Sequence, residues 1–378
     1  MIRDAARHFE DFDGLTYLNS ASQGPLPRST VEAVRNILPL KAFPNRIPDH
    51  ILFSLPNTIR SALAPWIGAE PEEIFLGSGA AHGVAVAALG FPWAPGDEVV
   101  VAANDFPSNI FNWARAAEKT AGRRILVRGA GKAATTGEML DAVTPRTRVL
   151  AVSAVDFGSG TVIDLAEAGA FCRERGIFLA VDGTQAVGVT PLEVKTLGIS
   201  LFTAAAYKWL LGPYGSGFAW LDPAWASRIE PSIIAWTAAE GAEDFNALPR
   251  ENAAWVDTAR RFDAPEAASF FNLAALRASL EFLAGYGVEA IHAHIQALLG
   301  ILEAGLPGSY RRRAPRGRVP GPILCIESDD LERVHADYRR LRDAGIWVSR
   351  REDGIRVSPH LFNTETDIDR FLTVLDPA

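Results

Sequence analysis

Cysteine is almost missing from this chain of 378 residues, which has only Cys172 and Cys325. Two cysteines give no disulfide framework and no metal-ligand spacing, and they suit a reducing, cytoplasmic compartment. The closely spaced histidines, His292 and His294, are two positions apart on a helical pattern, so their rings do not share a face. We therefore predict neither a disulfide framework nor a metal site.

Long apolar runs and an excess of positive charge are missing too. The most apolar stretches are interrupted by Gly, Pro, His or Lys, and residues 1–4 have no apolar signal core, so we expect no membrane partner. The chain carries 37 basic and 45 acidic residues, a net charge of −8, which argues against nucleic-acid binding. The basic cluster at residues 311–313 lies among Gly and Pro, and we interpret it as a solvated loop.

What remains is the composition of a soluble globular protein, long enough for two domains. Strand and helix patterns alternate up to about residue 182, which predicts an α/β fold with a mostly parallel, doubly wound sheet. A C-terminal order of strand, helix, strand, strand and helix predicts a smaller α+β domain. We assign residues 16–257 to the large domain, and residues 1–15 and 258–378 to the small domain.

The short apolar run at residues 177–181 ends in an acid, Asp182. A wholly apolar run of this length is typical of a buried strand in a parallel sheet, which delivers the next side chain at its C-terminal edge. Ligand sites in such sheets lie at that edge. Asp182 is therefore a candidate site residue.

A single amine, Lys208, lies among small and apolar residues just before a Gly-Pro turn. Burial lowers the pKa of a lysine, and a neutral amine forms a Schiff base with an aldehyde. Pyridoxal phosphate needs such a lysine on its aldehyde carbon and an acid on its ring nitrogen. Lys208 and Asp182 are the predicted catalytic pair.

These residues belong to longer motifs. Val-Asp-Gly-Thr-Gln-Ala-Val-Gly at 181–188 is followed by Tyr-Lys-Trp-Leu-Leu-Gly-Pro at 207–213 and Gly-Ser-Gly-Phe at 215–218. Together they resemble the class V aminotransferase family, which includes cysteine desulfurases, kynureninase, transaminases and isopenicillin epimerase-like enzymes. The resemblance covers nearly the whole chain. It implies fold type I of the pyridoxal 5'-phosphate-dependent transferases, a homodimer and an amino acid substrate.

The resemblance also implies a phosphate site at the start of a helix. Family members often have Ser-Gly-Ala-Thr where this chain has Ser-Gly-Ala-Ala at 78–81, so the threonine hydroxyl is missing. Backbone N–H groups of Gly79, Ala80 and Ala81 would then bind the phosphate. His82 is either a replacement donor or a histidine that faces solvent.

Other family positions imply contacts with the cofactor ring. Phe106 matches the residue that stacks on the pyridine ring, and Gln185 matches the one that hydrogen-bonds the phenolic oxygen. Phe157 replaces an asparagine that often shares that oxygen. Tyr207 and Lys208 complete the implied cofactor-binding set.

A substrate-binding site is implied near the C-terminus. Arg356 resembles the family's carboxylate-binding arginine, and a guanidinium holds a carboxylate through two parallel hydrogen bonds. Arg350 and Arg351 are secondary candidates. Ala21 and Ser22 lie in an opening segment that, in the family, passes near the substrate.

The reaction itself stays open between several outcomes. We favour amino-group transfer, with Lys208 moving the α-proton of an α-amino carboxylate. A lyase or an epimerase would use the same residues. Cysteine desulfurase is disfavoured because no cysteine lies between Ser349 and Arg356. A non-enzymatic sensor that binds pyridoxal phosphate is the remaining alternative.

Overall fold

The computed structural model describes residue 2, residues 4–129 and residues 133–376. The α-helices are α1 (Arg28–Ala42), α2 (Ile51–Leu63), α3 (Ala80–Gly90), α4 (Pro107–Lys119), α5 (Thr136–Asp141), α6 (Leu165–Arg175), α7 (Pro223–Ala226), α8 (Phe270–Ala284), α9 (Val288–Ala304), α10 (Leu331–Asp343) and α11 (Glu365–Leu375). The strands are β1 (Thr16–Tyr17), β2 (Ile74–Gly77), β3 (Glu98–Ala102), β4 (Arg123–Val127), β5 (Thr147–Ser153), β6 (Phe178–Asp182), β7 (Leu201–Ala205), β8 (Gly217–Leu221), β9 (Arg311–Arg312), β10 (Leu324–Glu327), β11 (Ile346–Trp347), β12 (Ser349–Arg351) and β13 (Gly354–Val357).

A seven-stranded sheet forms the centre, in the order β2-β8-β7-β6-β5-β3-β4. The neighbours from β4 through β7 are parallel, and β8 is antiparallel to both β7 and β2. This arrangement confirms the predicted α/β class with a mostly parallel sheet.

Strand β6 shows why the sheet is covered on both faces. Phe178 and Ala180 pack in the apolar cluster that includes Trp113 of α4, whereas Leu179 and Val181 pack in the cluster that includes Cys172 of α6. Successive side chains of a strand point to opposite faces, so a continuous apolar run is what a sheet between two helical layers requires. The buried run thereby brings its last residue to the edge of the sheet.

A second, four-stranded antiparallel sheet has the order β12-β13-β10-β9, and β1 pairs with β11 in a separate parallel pair. Helices α1 and α2 from the predicted large domain pack against α8 from the predicted small one. The division at residues 15/16 and 257/258 stays a prediction. None of the described helices is long and apolar enough to cross a membrane.

The interpretation of residues 311–313 as a solvated loop is wrong. Arg311 and Arg312 form β9, and the side chain of Arg313 is only 4% exposed. Arg313 is paired with Glu327 at 3.1 Å and with Asp353 at 2.5 Å. Carboxylates distant in sequence neutralise the arginine, so its charge did not indicate exposure.

Candidate active site

A cavity of about 440 Å³ opens at the C-terminal ends of β5 and β6. Parallel α/β sheets bind ligands at this edge. The lining residues are Ser78, Gly79, Ala80, Ala81, Phe106, Ser108, Ser153, Val155, Phe157, Asp182, Thr184, Gln185, Ala205, Tyr207, Lys208, Tyr214 and Gly215. The structure thus brings together every residue that the sequence predicted to bind the cofactor.

Asp182 is buried where β6 ends. Its Oδ1 accepts a hydrogen bond from the backbone N–H of Thr184 at 2.9 Å. Burial raises the pKa of Asp182, while the hydrogen bonds from Thr184 and the charge of Lys208 lower it. A cationic group in the cavity would therefore stabilise the ionised carboxylate.

Lys208 lies in the turn between β7 and β8 and is 7% exposed. Its Nζ is 5.6 Å from the ring centroids of both Phe106 and Tyr207. Burial lowers the pKa of Lys208 to about 8, against the opposing charge of Asp182. A larger fraction of this amine is consequently neutral near pH 7 than for a surface lysine, and the neutral form is the one that attacks an aldehyde.

The N-terminus of α3 faces the same cavity through residues 78–81. No side chain caps this helix end, so its first N–H groups keep their capacity to bind an anion. Gly217 on β8 permits the close packing here, because a Cβ at that position would lie 2.4 Å from the Cα of Gly79. The arrangement fits a phosphate bound by backbone donors.

His82 takes neither of the positions considered from the sequence. Its Nε2 lies 2.9 Å from the carbonyl oxygen of Phe262, to which it donates, and its ring packs edge-on against Phe75. His82 is half-buried and does not belong to the cavity lining. The suggestion that it replaces the missing threonine hydroxyl is therefore wrong.

Phe106 is held at the cavity by the carboxylate of Asp105, which accepts a hydrogen bond from the backbone N–H of Phe106 at 2.6 Å and another from Ser153 Oγ. Burial raises the pKa of Asp105 to about 6. Phe106 is 37% exposed, and its ring meets that of Phe157 edge-on, with centroids 5.4 Å apart. A ring left exposed inside a cavity is available for stacking against a flat ligand.

Gln185 is oriented by its neighbours. Its Oε1 accepts a hydrogen bond from Trp209 Nε1 at 2.7 Å, and its Nε2 donates to the carbonyl oxygen of Ala21 at 3.1 Å. Because the indole nitrogen can only donate, it fixes which end of the amide is the oxygen. One N–H of the Gln185 amide is left for an acceptor in the cavity.

Arg356 is 1% exposed and lies just behind the lining. Its Nη1 donates to the carbonyl oxygen of Phe157 at 2.6 Å, and its Nη2 is 3.3 Å from both Asn19 Oδ1 and Ser349 Oγ. Burial, together with the positive charge of Arg351, lowers the pKa of Arg356 to about 9. The Nε atom is buried, and it has no hydrogen-bond partner among the described residues.

The opening segment packs against the lysine turn but does not line the cavity. The backbone N–H of Gly24 donates to the carbonyl oxygen of Tyr207 at 2.9 Å, and a Cβ at Gly24 would collide with the carbonyl oxygen of Lys208. The carbonyl oxygen of Ala21 contacts the lining residue Gln185, and the N–H of Ser22 donates to the carbonyl oxygen of Asn19. Direct substrate contact by Ala21 and Ser22 stays a prediction.

Both cysteines are buried away from the lining. Burial raises the pKa of Cys172 to about 12 and that of Cys325 to about 11. A thiol is nucleophilic as the thiolate, so neither residue is suited to attack a substrate.

The residues present fit pyridoxal phosphate. Lys208 offers a partly deprotonated amine, and Asp182 offers a buried carboxylate that a protonated ring nitrogen would stabilise. The end of α3 offers backbone donors for a phosphate, and Phe106 offers a flat apolar surface. We infer that these four features would hold the cofactor by its aldehyde carbon, ring nitrogen, phosphate and ring face, respectively.

Sequence reasoning missed the residues that orient the site. Trp209 belongs to the lysine motif, but its apolar neighbours gave no sign that its indole N–H donates to Gln185. Asn19 and Ser349 bind Arg356 from positions 337 and 7 residues away. No local pattern indicates the contact with Asn19, and the contact with Ser349 depends on the register of the β12–β13 hairpin.

Comparison with known proteins gives a consistent result. The chain matches the family described as Aminotransferase class-V over residues 16–371. It is 26% identical to an isopenicillin N epimerase of Amycolatopsis lactamdurans, over 96% of this chain and 94% of that protein. It is also 26% identical to a probable cysteine desulfurase of Methanothermobacter thermautotrophicus, over 74% of this chain and 69% of that protein.

Solved structures share the fold. A mutant of C-DES with glycine covalently linked to its pyridoxal phosphate cofactor superimposes with a TM-score of 0.87 at 22% identity, covering 98% of each chain. An apo cysteine desulfurase of Thermococcus onnurineus gives a TM-score of 0.83 at 20% identity, covering 99% of this chain and 97% of that one. The predicted fold type I is confirmed.

The family match spans both catalytic candidates, Asp182 and Lys208, and reaches past Arg356. The predicted cofactor is confirmed by the same match, together with the cofactor found in related structures. The chain belongs to the class V aminotransferase family, which depends on pyridoxal 5'-phosphate.

Proposed function

We propose that this protein is an enzyme that transfers the amino group of an α-amino carboxylate. The observation that carries the proposal is the buried amine of Lys208, with its lowered pKa, on the same cavity as the buried carboxylate of Asp182. Pyridoxal phosphate, when bound, supplies an aldehyde carbon for the substrate amine and an electron-accepting ring.

Each residue then has a definite task. Lys208 takes the α-proton of the substrate and returns a proton as a general acid. Asp182 keeps a proton on the ring nitrogen of the cofactor. Arg356 orients the substrate by its α-carboxylate, and Phe106 excludes water from one face of the ring.

The number of bases on the lining supports amino-group transfer over inversion. Among the described residues of the lining, Lys208 has the sole amine, and none has an imidazole. Burial raises the pKa of Tyr207, so its phenol stays protonated. One base on one face moves a proton between two carbons on that face, whereas inversion by two bases needs a second base opposite.

A second candidate is epimerisation, which the likeness to isopenicillin N epimerase supports. Cysteine desulfurase activity, which needs a nucleophilic protein thiol, is less favoured because both thiols are buried and have raised pKa values. The two leading candidates differ in where the amino nitrogen goes. In amino-group transfer it leaves the donor, and in epimerisation it stays on the same carbon.

An isotope-labelled amino nitrogen tests this proposal. The purified enzyme is incubated with labelled amino acids and a set of keto acids, and the products are separated by chiral chromatography with mass detection. We expect label in a new amino acid whose carbon skeleton comes from the keto acid. Inverted donor with the label retained, or ammonia release without any need for a keto acid, would contradict amino-group transfer.

Replacing Trp209 by phenylalanine tests the orientation of Gln185. The change removes the indole N–H that binds Gln185 Oε1 and keeps an aromatic ring in a fully buried position. We expect a shifted absorption maximum of the bound cofactor and an affinity lower by about 3- to 10-fold, since a buried hydrogen bond contributes about 0.5–1.5 kcal/mol.

Trp220→Phe is the matched control for that change. Trp220 is also fully buried, and its Nε1 donates to Glu73 at 2.9 Å, away from the cavity. Both variants should lose thermal stability, but the control should keep the native cofactor spectrum. Equal spectra in the two variants would show that Trp209 does not orient Gln185.

A further inference from the structure

The hairpin of β12 and β13 carries a second arginine on the same face as Arg356. Ser349 lies opposite Arg356 in the pairing, and Arg351 lies opposite Gly354. Side chains two positions apart on a strand share a face, so Arg351 lies on the face of Ser349. Arg350 lies on the other face, where it is exposed and contacts His335.

The face that carries Arg351 is the one that borders the active site. On that face, Arg356 Nη1 donates to the carbonyl oxygen of Phe157, and Phe157 lines the cavity. Ser349 Oγ donates to Asn19 Oδ1 at 2.7 Å, and Asn19 also contacts Arg356. Arg351 is therefore diagonal to Arg356, within the reach of a long side chain.

The guanidinium of Arg351 has no partner of its own within the described residues. Its Nε is shielded from solvent and makes no hydrogen bond, and no ion pair joins its other nitrogens to a carboxylate there. The nearby carboxylates of Glu327, Glu352 and Asp353 all contact Arg313 instead. A guanidinium N–H that is shielded from solvent and has no acceptor is rare, because desolvating it without compensation is unfavourable.

The neighbouring charges make this position more unusual. Burial lowers the pKa of Lys208 and of Arg356, and in both cases the positive charge of Arg351 adds to that effect. Arg351 and Arg356 are thus two cationic groups on one face of the hairpin. An anion that reaches Arg351 would relieve this repulsion and form charge-assisted hydrogen bonds.

We propose that Arg351 binds a second acidic group of the substrate, so that the enzyme acts on amino acids with an anionic side chain. The inference rests on the proposed function, in which Arg356 holds the α-carboxylate. Arg356 and Arg351 then form a two-point clamp, and the cofactor site lies at the amino end of the substrate. An acidic amino acid matches this charge pattern, and a neutral one leaves Arg351 unpaired.

Calorimetric titration of the purified holoenzyme with glutarate and with butyrate tests the proposal. These probes have the same carbon skeleton from the first carboxylate to the fourth carbon, and only glutarate has a second carboxylate. We expect glutarate to bind at least about tenfold more tightly, because hydrogen bonds to charged groups are the stronger ones. Arg351→Gln should remove that preference and leave butyrate binding within about twofold of the native value.

Two further variants separate a site from a general charge effect. Arg350→Gln removes the same charge one position away on the opposite face, and it should leave both affinities unchanged. Arg356→Gln should weaken the binding of both probes, since each would lose the contact of the carboxylate that stands for the substrate's α-carboxylate. Thermal unfolding of each variant confirms that the fold is intact before binding is compared.

The failures of the two proposals are distinguishable. The proposed site at Arg351 is overturned if glutarate and butyrate bind with the same affinity. It is also overturned if Arg350→Gln weakens the binding of glutarate as much as Arg351→Gln does. The cofactor bound to Lys208 is measured separately, by its visible absorbance in the same samples. A dicarboxylate preference without that absorbance would leave the anion site standing and overturn the proposed function.

Discussion

Replacement of Lys208 by alanine is expected to lower the turnover rate by at least about a thousandfold, since a positioned acid–base group contributes about 10²- to 10⁴-fold and covalent attachment is lost as well. The side chain is buried, its pKa is lowered to about 8, and the cavity offers no other amine among its described lining residues. The variant should still bind the cofactor phosphate at α3. Steady-state kinetics with the best amino donor would measure the loss.

Lys195→Ala is the control for that experiment. Lys195 is on the surface, with its side chain 42% exposed and paired with Glu73 at 3.0 Å. An exposed ion pair contributes less than about 1 kcal/mol, so this variant should keep native turnover and nearly native stability. Substantial turnover by Lys208→Ala would mean that another group moves the proton.

Replacement of Asp182 by alanine is expected to lower turnover by about two to three orders of magnitude, because a preorganised charge at the reacting group is commonly the largest catalytic contribution. Asp182 is buried at the end of β6, and Thr184 holds its carboxylate in place. The change removes the carboxylate that would keep a proton on the ring nitrogen of the cofactor. The measurement is turnover at saturating cofactor, with cofactor content checked by absorbance.

Asp337→Ala serves as a matched change of a buried carboxylate. Asp337 on α10 accepts a hydrogen bond from Tyr310 at 2.8 Å and pairs with Arg340, far along the chain from the cavity lining. This control should lose stability and keep its turnover per folded molecule. If Asp182→Ala retained near-native turnover while binding cofactor, its assignment to the ring nitrogen would be refuted.

The central sheet and the placement of Asp182 and Lys208 on one cavity could be predicted because their signals are local. The apolar run before Asp182 belongs to a strand buried on both faces. A continuous apolar run is the pattern typical of such strands. Lys208 stood out because a charged residue in an apolar segment conflicts with the rule that lysine is exposed. Asp182 ends β6 and Lys208 follows β7, so the topology of the parallel sheet brings both residues to one edge.

The orientation of the site could not be predicted, because it depends on contacts between distant segments. Gln185 is fixed by Trp209 and Ala21, and no periodicity links positions 21, 185 and 209. The prediction for Arg313 was wrong in its exposure. Its sequence surroundings predicted a solvated side chain, but the guanidinium is buried and is neutralised by Glu327 and Asp353. The sequence left His82 either as a phosphate donor or as a solvent-facing side chain. In the structure its ring instead donates to the carbonyl oxygen of Phe262. The environments of these residues depend on partners that no local pattern shows.

The attachment point of the cofactor is the central claim, and chemical reduction tests it most directly. The holoenzyme is treated with borohydride, digested, and mapped by mass spectrometry, with untreated enzyme as the reference. We expect the cofactor mass to be fixed to the peptide that contains Lys208, and to no other peptide. Fixation at a different lysine, or recovery of the Lys208 peptide without added mass, would contradict the account.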